Sequence, residues 1–382
     1  MIERGARISG LGARARWPAR AAARGLALAV VGGVLASIAG CGPSPDRPPT
    51  PAESSAAPAA ATAPPPTGPR AFVSNEIDGT VSVIDIGTRA VVHTIAVGKR
   101  PRGIRTSPDG RTVYVALSGS PIGGPNVDES TLPPADRKLD GIGVIDVAAA
   151  RFVKMLPSGT DPEQFAVSKD GARLFIANED AGLTSVLDVS SGRVEKQIRV
   201  GGEPEGVDLS PDGRHVYVTS EYDNGVYVID TRSLELVKTV PVGRRPRSTG
   251  FLPDGSRAFV SAENGPAVDV LDATTHAVRR SIPFAPDTLK PMGIAVTPDG
   301  ARVLVTTGRG GTLHVVDAAT LAIVESVPVG ERPWGVAITP DGRWAITANG
   351  PSNDVTFVDV ATLTVAGKVR VGERPWGITI VP

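Results

Sequence analysis

The feature of this sequence that most restricts its fold is a repeat of about 42 residues, which recurs from Arg70 to Pro382. Its clearest mark is an aspartate that closes an apolar run, at Asp85, Asp146, Asp188, Asp230, Asp272, Asp317 and Asp359. Successive marks are 61, 42, 42, 42, 45 and 42 residues apart. A period of this length, with four short apolar runs in each unit, is typical of the blades of a β-propeller.

One repeat shows the expected strands. Its inner strand is predicted at residues 206–210, its second at 215–220, its third at 225–230 and its outer strand at 236–242. An Asp-Gly turn follows the inner strand, and such pairs favour hairpins because the turn needs a positive φ. The aspartate after the third strand is predicted to make an Asx turn. Because every repeat needs this aspartate, we assign it to the scaffold.

The two ends of the repeat region complete each other. Residues 377–381 form an inner strand with nothing after it, and residues 70–75 form a second strand with nothing before it. Pairing the two completes a seventh blade and removes the open sheet edges that invite aggregation. We therefore predict an all-β protein, a single seven-bladed β-propeller of four-stranded blades over residues 70–382.

The residues before the repeats have a different composition. Arginines precede an uncharged apolar run at 26–39, which is shorter than the roughly 20 residues of a membrane span. The run ends in Ile38-Ala39-Gly40-Cys41, which resembles a bacterial lipobox and contains the only cysteine of the chain. The resemblance implies a signal peptide at residues 1–40 and a lipidated Cys41. The alternative is a structural cysteine behind an uncleaved anchor.

Residues 41–69 then form a linker rich in proline and alanine, which favours an extended chain. The lipobox resemblance implies a secreted protein, lipid-anchored at the cell envelope. Since Gly42 follows the cysteine, it implies the periplasmic side of the outer membrane in a Gram-negative cell. The membrane is then contacted through the lipid anchor only.

The equal numbers of acidic and basic residues restrict the kind of binding partner. Forty basic residues match forty acidic ones, which argues against a nucleic-acid binder because such proteins show a basic surplus. A single cysteine leaves no internal disulfide. We expect a monomer whose partner is an envelope protein or a small ligand.

Short runs within the strands carry a family resemblance. Val113-Tyr114-Val115-Ala116 and Val216-Tyr217-Val218-Thr219 resemble the YVTN-type β-propeller repeat family, and the resemblance extends over residues 70–382. The loop at residues 118–137 is similar to a segment of relatives named for a cytochrome d1 haem-like domain. The resemblance implies the fold, whereas function must be argued from a site.

Positions that vary within the repeat are the candidates for function. The residue after the proline at each inner strand is predicted to lie near the channel mouth: Arg102, Glu163, Glu205, Arg247, Met292, Trp334 and Trp376. Arg105 and Asp208 are predicted to line the channel itself. The charged residues fit either a ligand cradle or a self-satisfied ring of ion pairs. The two tryptophans fit either binding hot spots or packing between neighbouring crossings.

The first repeat contains a long insertion at about residues 119–140, which carries Asp128, Glu129 and Arg137. Long loops in compact domains are usually functional or disordered. The insertion is interpreted either as a lid or partner-binding element, or as a packed ornament.

The sequence predicts no cofactor. His93, His215, His276 and His314 occupy unrelated blade positions and are not expected to converge on a metal or a haem. Haem iron needs an axial ligand such as His, Cys, Met or Tyr, which leaves Met292 at the mouth. A carboxylate-rich mouth is compatible with Ca²⁺, which takes several oxygen ligands.

We favour a non-catalytic envelope protein that binds a ligand or a protein through its loop-bearing face. One alternative is a propeller lactonase or related hydrolase with a mouth metal held by Glu163, Glu205 or Asp208. The other is an accessory protein of periplasmic redox enzymes, by analogy with haem d1 and quinoprotein propellers.

Overall fold

The computed structural model describes residues 68–123 and 128–382 of the 382-residue chain. The predicted signal peptide, the lipidation site Cys41 and all but the last two residues of the linker lie outside the described residues. The described residues belong to one compact unit. Within the described residues, none of the helices has the length and apolar character needed to span a bilayer.

The described chain consists almost entirely of short strands. In chain order they are β1 Arg70–Asn75, β2 Thr80–Asp85, β3 Ala90–Ala96, β4 Pro101–Thr106, β5 Thr112–Leu117, β6 Gly141–Asp146, β7 Arg151–Leu156, β8 Pro162–Val167, β9 Arg173–Asn178, β10 Leu183–Asp188, β11 Arg193–Arg199, β12 Pro204–Leu209, β13 His215–Ser220 and β14 Gly225–Asp230. They continue as β15 Leu236–Pro241, β16 Pro246–Phe251, β17 Arg257–Ala262, β18 Ala267–Asp272, β19 Ala277–Pro283, β20 Pro291–Val296, β21 Arg302–Thr307, β22 Thr312–Asp317, β23 Ile323–Pro328, β24 Pro333–Ile338, β25 Trp344–Asn349, β26 Asp354–Asp359, β27 Thr364–Arg370 and β28 Pro375–Val381. Short 3₁₀ turns lie at Glu129–Thr131, Arg137–Leu139 and Glu179–Ala181.

These strands form seven four-stranded antiparallel sheets, which confirms the predicted seven-bladed β-propeller. Blades 1 to 6 are β4–β7, β8–β11, β12–β15, β16–β19, β20–β23 and β24–β27. Blade 7 joins both ends of the repeat region in the order β28-β1-β2-β3. In it Arg70 pairs with Val381, and Phe72 pairs with Thr379. The predicted closure of the ring by the C-terminal inner strand is therefore also confirmed.

The core lies between neighbouring blades. One cluster packs Phe72 and Val83 of blade 7 against Ile104, Val115 and Ile145 of blade 1. The second and third strands of each blade are buried on both faces, whereas the outer strands are largely exposed. Seven such interfaces leave the inner strands around a central channel.

The recurring aspartates make the predicted Asx turns in all seven blades. Each Oδ1 accepts backbone N–H groups two or three residues further on, for example Thr88 N at 2.7 Å from Asp85. In blade 2 these hydrogen bonds lower the pKa of Asp188 to about 2. The aspartates are scaffold, and they lie away from the channel mouth.

The residue that begins the second strand ties one blade to the next. Arg70 donates from Nη1 to the carbonyl of Val147 at 3.3 Å, and Arg257 donates to that of Ala318 at 2.6 Å. In blade 3 this position is His215, whose ring centre lies 4.7 Å from that of His276 in blade 4. Two of the four histidines thus meet, because the start of a second strand lies against the third-to-outer turn of the next blade.

Candidate functional site

A cavity of about 1570 Å³ opens at the centre of the loop-bearing face. This face carries the crossings from each outer strand to the next inner strand, and the loops between second and third strands. Every inner strand begins at a proline: Pro101, Pro162, Pro204, Pro246, Pro291, Pro333 and Pro375. The residues on either side of these prolines form two rings at the mouth.

The first ring is the residue before each proline, and all seven members are charged and line the cavity: Arg100, Asp161, Glu203, Arg245, Lys290, Arg332 and Arg374. Their φ angles lie between 44° and 60°. Residues other than glycine rarely adopt this left-handed backbone conformation. It costs free energy and persists only where the surrounding structure enforces it.

Backbone hydrogen bonds enforce the conformation of the first ring. In blades 2 to 7 the residue after the second strand donates its N–H to the first-ring carbonyl of the same blade, whereas in blade 1 Ser118 N donates to Lys99 O. The distance is 3.0 Å from Glu76 to Arg374, 3.0 Å from Glu179 to Asp161 and 2.7 Å from Gly308 to Lys290. Each crossing is therefore held with its charged residue at the mouth.

The second ring is the residue after each proline, the set expected at the mouth. Six of these side chains line the cavity: Arg102, Glu205, Arg247, Met292, Trp334 and Trp376. The seventh, Glu163, is fully buried. The variable positions of the repeat thus meet around one cavity.

The charged members of the second ring are paired within the protein. Arg102 contacts Glu163, and its side chain lies 3.6 Å from both Glu76 and Glu179. Arg247 lies 3.1 Å from Glu205 and also contacts Glu221. Of the two interpretations of these residues, the geometry favours the ring of ion pairs.

Blades 5 and 6 lack these carboxylates. Their second-to-third-strand loops begin with Gly308 and Gly350, where blades 2, 3, 4 and 7 carry glutamate. A Cβ at Gly350 would lie 2.7 Å from the Trp334 ring, and one at Gly308 would lie 3.0 Å from the Met292 side chain. The apolar second-ring residue fills the space that a glutamate would need.

As a result, the three cations that blades 5 and 6 bring to the cavity remain without a carboxylate partner among the described residues. Lys290, Arg309 and Arg332, here called the cation sector, all line the cavity and make no ion pair with any described residue. Lys290 donates to Asn264 Oδ1 at 3.0 Å, and Arg332 Nε is buried without a hydrogen-bond partner.

The environment of Arg332 disfavours its positive charge. Burial lowers the pKa of Arg332, and although Glu263 opposes this, the neighbouring Arg374 and Arg309 lower the pKa further. A cation that is desolvated and crowded by like charges is stabilised by an anion.

The tryptophans hold guanidinium groups. Trp334 and Trp376 are buried against Met292. Arg332 and Arg374 lie 5.3 and 5.1 Å from the Trp334 ring centre, and Arg102 lies 5.2 Å from that of Trp376. These are cation–π distances. The rings are packed between crossings, and they position the arginines that face the cavity.

A second polar group lies deeper in the channel. Arg105 Nη2 is 3.4 Å from Asp208 Oδ1 and 3.2 Å from Gln164 Oε1, and Thr249 donates to Asp208 at 2.9 Å. Burial raises the pKa of Asp208, and Arg105 opposes the rise. Burial likewise raises the pKa of Glu205 against the influence of Arg247. The structure therefore places two carboxyl groups with raised pKa in the channel.

The long insertion reaches the rim of the cavity. Arg137 lines it, contacts Asp180 and lies 3.2 Å from Asp140 Oδ2. Asp140 is buried and ties the loop to the backbone N–H of Gly119 at 2.7 Å and of Asp161 at 3.1 Å. Asp128 is exposed and accepts from Ser130. The side chain of Glu129 is outside the described residues.

A group of carboxylates forms on blade 2, with oxygens of Asp161, Glu163 and Glu179 within 4.8 Å of one another. It differs from the expected metal set, because Glu205 lies beside Arg247 and Asp208 beside Arg105. Arg100 lies 3.6 Å from Asp161, and Arg102 contacts Glu163. Two guanidinium groups thus face three carboxylates, a poor fit for Ca²⁺, which takes six to eight oxygen ligands.

The sequence interpretation missed the first ring, and with it Lys290 and Arg332. The signal was present, because a charged residue precedes the crossing proline in all seven repeats. Arg309 could not be found in this way, since its loop position holds no repeated residue type.

Comparisons with known proteins support the fold. The Cytochrome D1 heme domain family model matches residues 135–263. A search of curated proteins found no match. Among solved structures, hydrazine synthase of Kuenenia stuttgartiensis has a TM-score of 0.62 at 21% identity, covering 72% of this chain and 88% of that one.

Two further structures are provisionally assigned 6-phosphogluconolactonases. That of Bacteroides uniformis has a TM-score of 0.67 at 18% identity, covering 82% of this chain and 99% of that one. That of Bacteroides fragilis has a TM-score of 0.67 at 16% identity, covering 82% and 98%. At these identities the likeness concerns the fold alone.

A haem in the cavity would need an axial ligand from the residues at the mouth. Among the described residues, no histidine or cysteine lines the cavity. Met292 is buried against two tryptophans, and Tyr227 donates its hydroxyl to Asp223. This lining does not fit a haem held through a histidine, cysteine or methionine ligand. The chain is a seven-bladed β-propeller protein, and part of it is similar to the cytochrome d1 haem-domain family.

Proposed function

We propose that this protein binds a small anionic ligand in the cavity of its loop-bearing face. The observation that carries the proposal is the cation sector, in which Lys290, Arg309 and Arg332 face the cavity without carboxylate partners. The other mouth arginines are neutralised by Glu76, Glu221 and Glu263. Apart from Arg199 at the end of the outer strand of blade 2, the cavity cations without an ion pair to a described residue therefore lie over blades 5 and 6.

An oxyanion at this position gains charge-assisted hydrogen bonds. Such bonds contribute about 1.5–3 kcal/mol each, and arginine makes them in pairs to a planar or tetrahedral oxyanion. The partner also relieves the repulsion among Arg332, Arg374 and Arg309. Trp334 keeps two of these guanidinium groups in place before the ligand arrives, which reduces the entropy cost of binding.

The test is isothermal titration calorimetry of the full chain with glucose 6-phosphate, and with glucose as the neutral control. We expect the phosphate ester to bind and glucose not to bind. Arg332→Gln should weaken binding by about 10-fold to 100-fold, the equivalent of one charge-assisted contact. Arg199→Gln is the matched control, because Arg199 lines the same cavity from blade 2, outside the cation sector.

An equal effect of the two substitutions would mean that only the general field of the cavity attracts the probe. Failure of the wild-type chain to bind glucose 6-phosphate would overturn the proposal for a small anion.

A second candidate function is the hydrolysis of a sugar lactone. It is favoured by the raised pKa of Asp208 in the channel, since a general base works best when its pKa lies near the working pH. The structural likeness to provisionally assigned 6-phosphogluconolactonases is the second support. In this mechanism Asp208 takes a proton from water as the water oxygen attacks the lactone carbonyl. The bond between the carbonyl carbon and the ring oxygen then breaks, and Asp208 returns that proton to the leaving ring oxygen, which gives the hydroxy acid.

The test is acid release from 6-phosphogluconolactone above the spontaneous rate. Loss of this activity in Asp208→Asn, with glucose 6-phosphate binding retained, would assign catalysis. An unchanged spontaneous rate with the wild-type chain would leave binding alone.

We also propose that Cys41 is lipidated and attaches the propeller to the cell envelope. The support is the sequence Ile38-Ala39-Gly40-Cys41 after an apolar run. Mass spectrometry of the mature N-terminus should show a modified cysteine, and Cys41→Ala should release the protein from the membrane fraction. An unmodified Cys41 in the mature protein would contradict this proposal.

A further inference from the structure

We infer that the cation sector selects a doubly charged oxyanion over a singly charged one, and this inference rests on the proposed anion site. The ligand head is then a dianion, as in a phosphomonoester. The inference concerns the number of charges that the site requires, which neither the fold nor the comparisons specify.

The first step is the placement of the three cations. Gly308 N donates to Lys290 O at 2.7 Å, and Arg309 N donates to Leu289 O at 3.1 Å. These bonds fix the loop of blade 5 against its crossing, so that Lys290 and Arg309 lie on neighbouring backbone segments. Arg332 approaches from the crossing of blade 6, and the charge of Arg309 lowers its pKa. Blades 5 and 6 together therefore bring these three cations to the same cavity.

The second step is the charge count. A monoanion would compensate one of three positive charges and leave two in repulsion, whereas a dianion leaves one. The nearest carboxylate, Glu263, cannot supply the difference, because it lies 3.2 Å from Arg245 and 3.8 Å from Arg247. The cations that a monoanion leaves uncompensated continue to repel one another in the partly buried site, and this repulsion reduces the free energy gained on binding.

The third step is the number of donors. Arg332 lines the cavity and makes no ion pair with a described residue, so its guanidinium group can donate to a ligand there. Lysine adds a compact ammonium, and arginine adds a planar fork. A phosphoryl group has three strong acceptor oxygens, enough to accept from all three side chains.

The charge requirement can be tested with two ligands of nearly the same shape. Glucose 6-phosphate carries a second ionisation near pH 6, whereas glucose 6-sulfate remains a monoanion. Among the described residues no histidine lines the cavity. The described carboxyl groups that line the cavity with the sector are Glu76, Asp161, Glu179, Asp180, Glu203, Glu205, Asp223 and Glu263. Burial raises the pKa of Glu205. The sulfate ester measured at each pH corrects for these carboxyl groups.

We expect the full chain at pH 7.5 to bind glucose 6-phosphate at least 10-fold more tightly than glucose 6-sulfate. Between pH 7.5 and pH 5 the affinity for the phosphate should fall by about 10-fold, following its second ionisation, while that for the sulfate stays level. Arg309→Gln should reduce the phosphate-to-sulfate ratio, and Arg199→Gln should leave the ratio unchanged.

Equal binding of the two esters would overturn the charge requirement and leave the anion site standing. A preference for phosphate that Arg309→Gln does not reduce would place the selective charges outside the cation sector, and would also overturn the inference. Binding of neither ester would remove the proposed function itself.

Discussion

At the scale of single residues, the smallest side chains of the mouth determine which large ones line it. Gly350 provides the space that the Trp334 ring occupies, and Gly308 does the same for Met292. In blade 4, Glu263 stands at the equivalent place and pairs with Arg247. A blade with glycine at the start of this loop therefore has an apolar second-ring residue, whereas blade 4, with glutamate there, has a charged one.

This relation predicts the effect of Gly350→Ala. The new Cβ would lie 2.7 Å from the indole ring, so Trp334 must move and take Arg332 and Arg374 with it. We expect a loss of about 1–3 kcal/mol in the free energy of unfolding in urea, as for overpacked cores. Binding of glucose 6-phosphate should weaken as well. Gly225→Ala is the control, because its Cβ would meet nothing closer than 3.6 Å.

The histidine pair predicts how stability depends on pH. Burial lowers the pKa of His276; the charges of His215 and Lys238 lower it further, and Asp272 opposes them. The unfolded chain therefore takes up the proton first as the pH falls below about 6.5, the ordinary histidine value. Stability is complete above that value and is lost as the pH falls towards the lowered pKa of the folded state.

The measurement is urea unfolding of wild type and His276→Gln at several pH values from 7.5 to 5. We expect the wild type to lose more unfolding free energy over this range than the variant. His314, whose pKa burial also lowers, contributes in the same direction to both proteins. Identical pH slopes would show that His276 is not responsible.

At the scale of elements, an arginine at the start of the second strand joins several blades to the next one. Arg257 donates to the carbonyl of Ala318 at 2.6 Å, in the turn after the third strand of blade 5. The same position is Arg302 in blade 5, where it contacts the carbonyl of Val360. These contacts hold together interfaces that are otherwise apolar.

Arg257→Ala should therefore cost about 1.5–3 kcal/mol, the usual contribution of a hydrogen bond to a charged group. Arg279→Ala provides the comparison, because Arg279 is more than half exposed and pairs with Asp272 at the surface. Such surface pairs contribute little, so no measurable change is expected. Thermal and urea unfolding of both variants test the difference. A silent Arg257→Ala would show that the apolar interface alone joins blades 4 and 5.

The sequence predicts the positions of the strands, but it does not predict the contacts that they make. The second and third strands predicted in blade 3, at 215–220 and 225–230, match the structure residue by residue. The inner strand begins two residues earlier than predicted, at Pro204, because its register shifts between Pro204 and Val207. Alternation and turn residues show where a strand lies, but they carry no signal for such a bulge.

Contacts between blades also cannot be predicted by comparing the repeats. The pairing of His215 with His276 joins different positions of neighbouring repeats, so comparing equal positions around the ring cannot reveal it. The second ring was found because it occupies one position of the repeat. The ion pairs that neutralise Arg102 and Arg247 come from a different loop, and only the structure shows them.

At the scale of the whole molecule, the order of the blades separates charge in a chain with no net charge. Blades 2 and 3 bring Asp161, Glu163, Glu203 and Glu205 to the mouth, whereas blades 5 and 6 bring Lys290, Arg309 and Arg332. The separation exists only while the ring is closed, since it depends on blades that are distant in sequence meeting around one channel. Closure and the proposed ligand site are therefore linked.

This link predicts the outcome of removing the last strand. A chain of residues 68–374 lacks β28, so β1 loses its hydrogen-bonded neighbour and the cluster around Ile84 and Phe357 loses Ile378. We expect it to show no cooperative thermal transition and no binding of glucose 6-phosphate. The control is residues 68–382, which keep all seven blades and should unfold cooperatively in calorimetry. If the shorter chain melts like the control, the pairing of β1 with β28 does not hold the ring together, and the mouth is assembled by the other six interfaces.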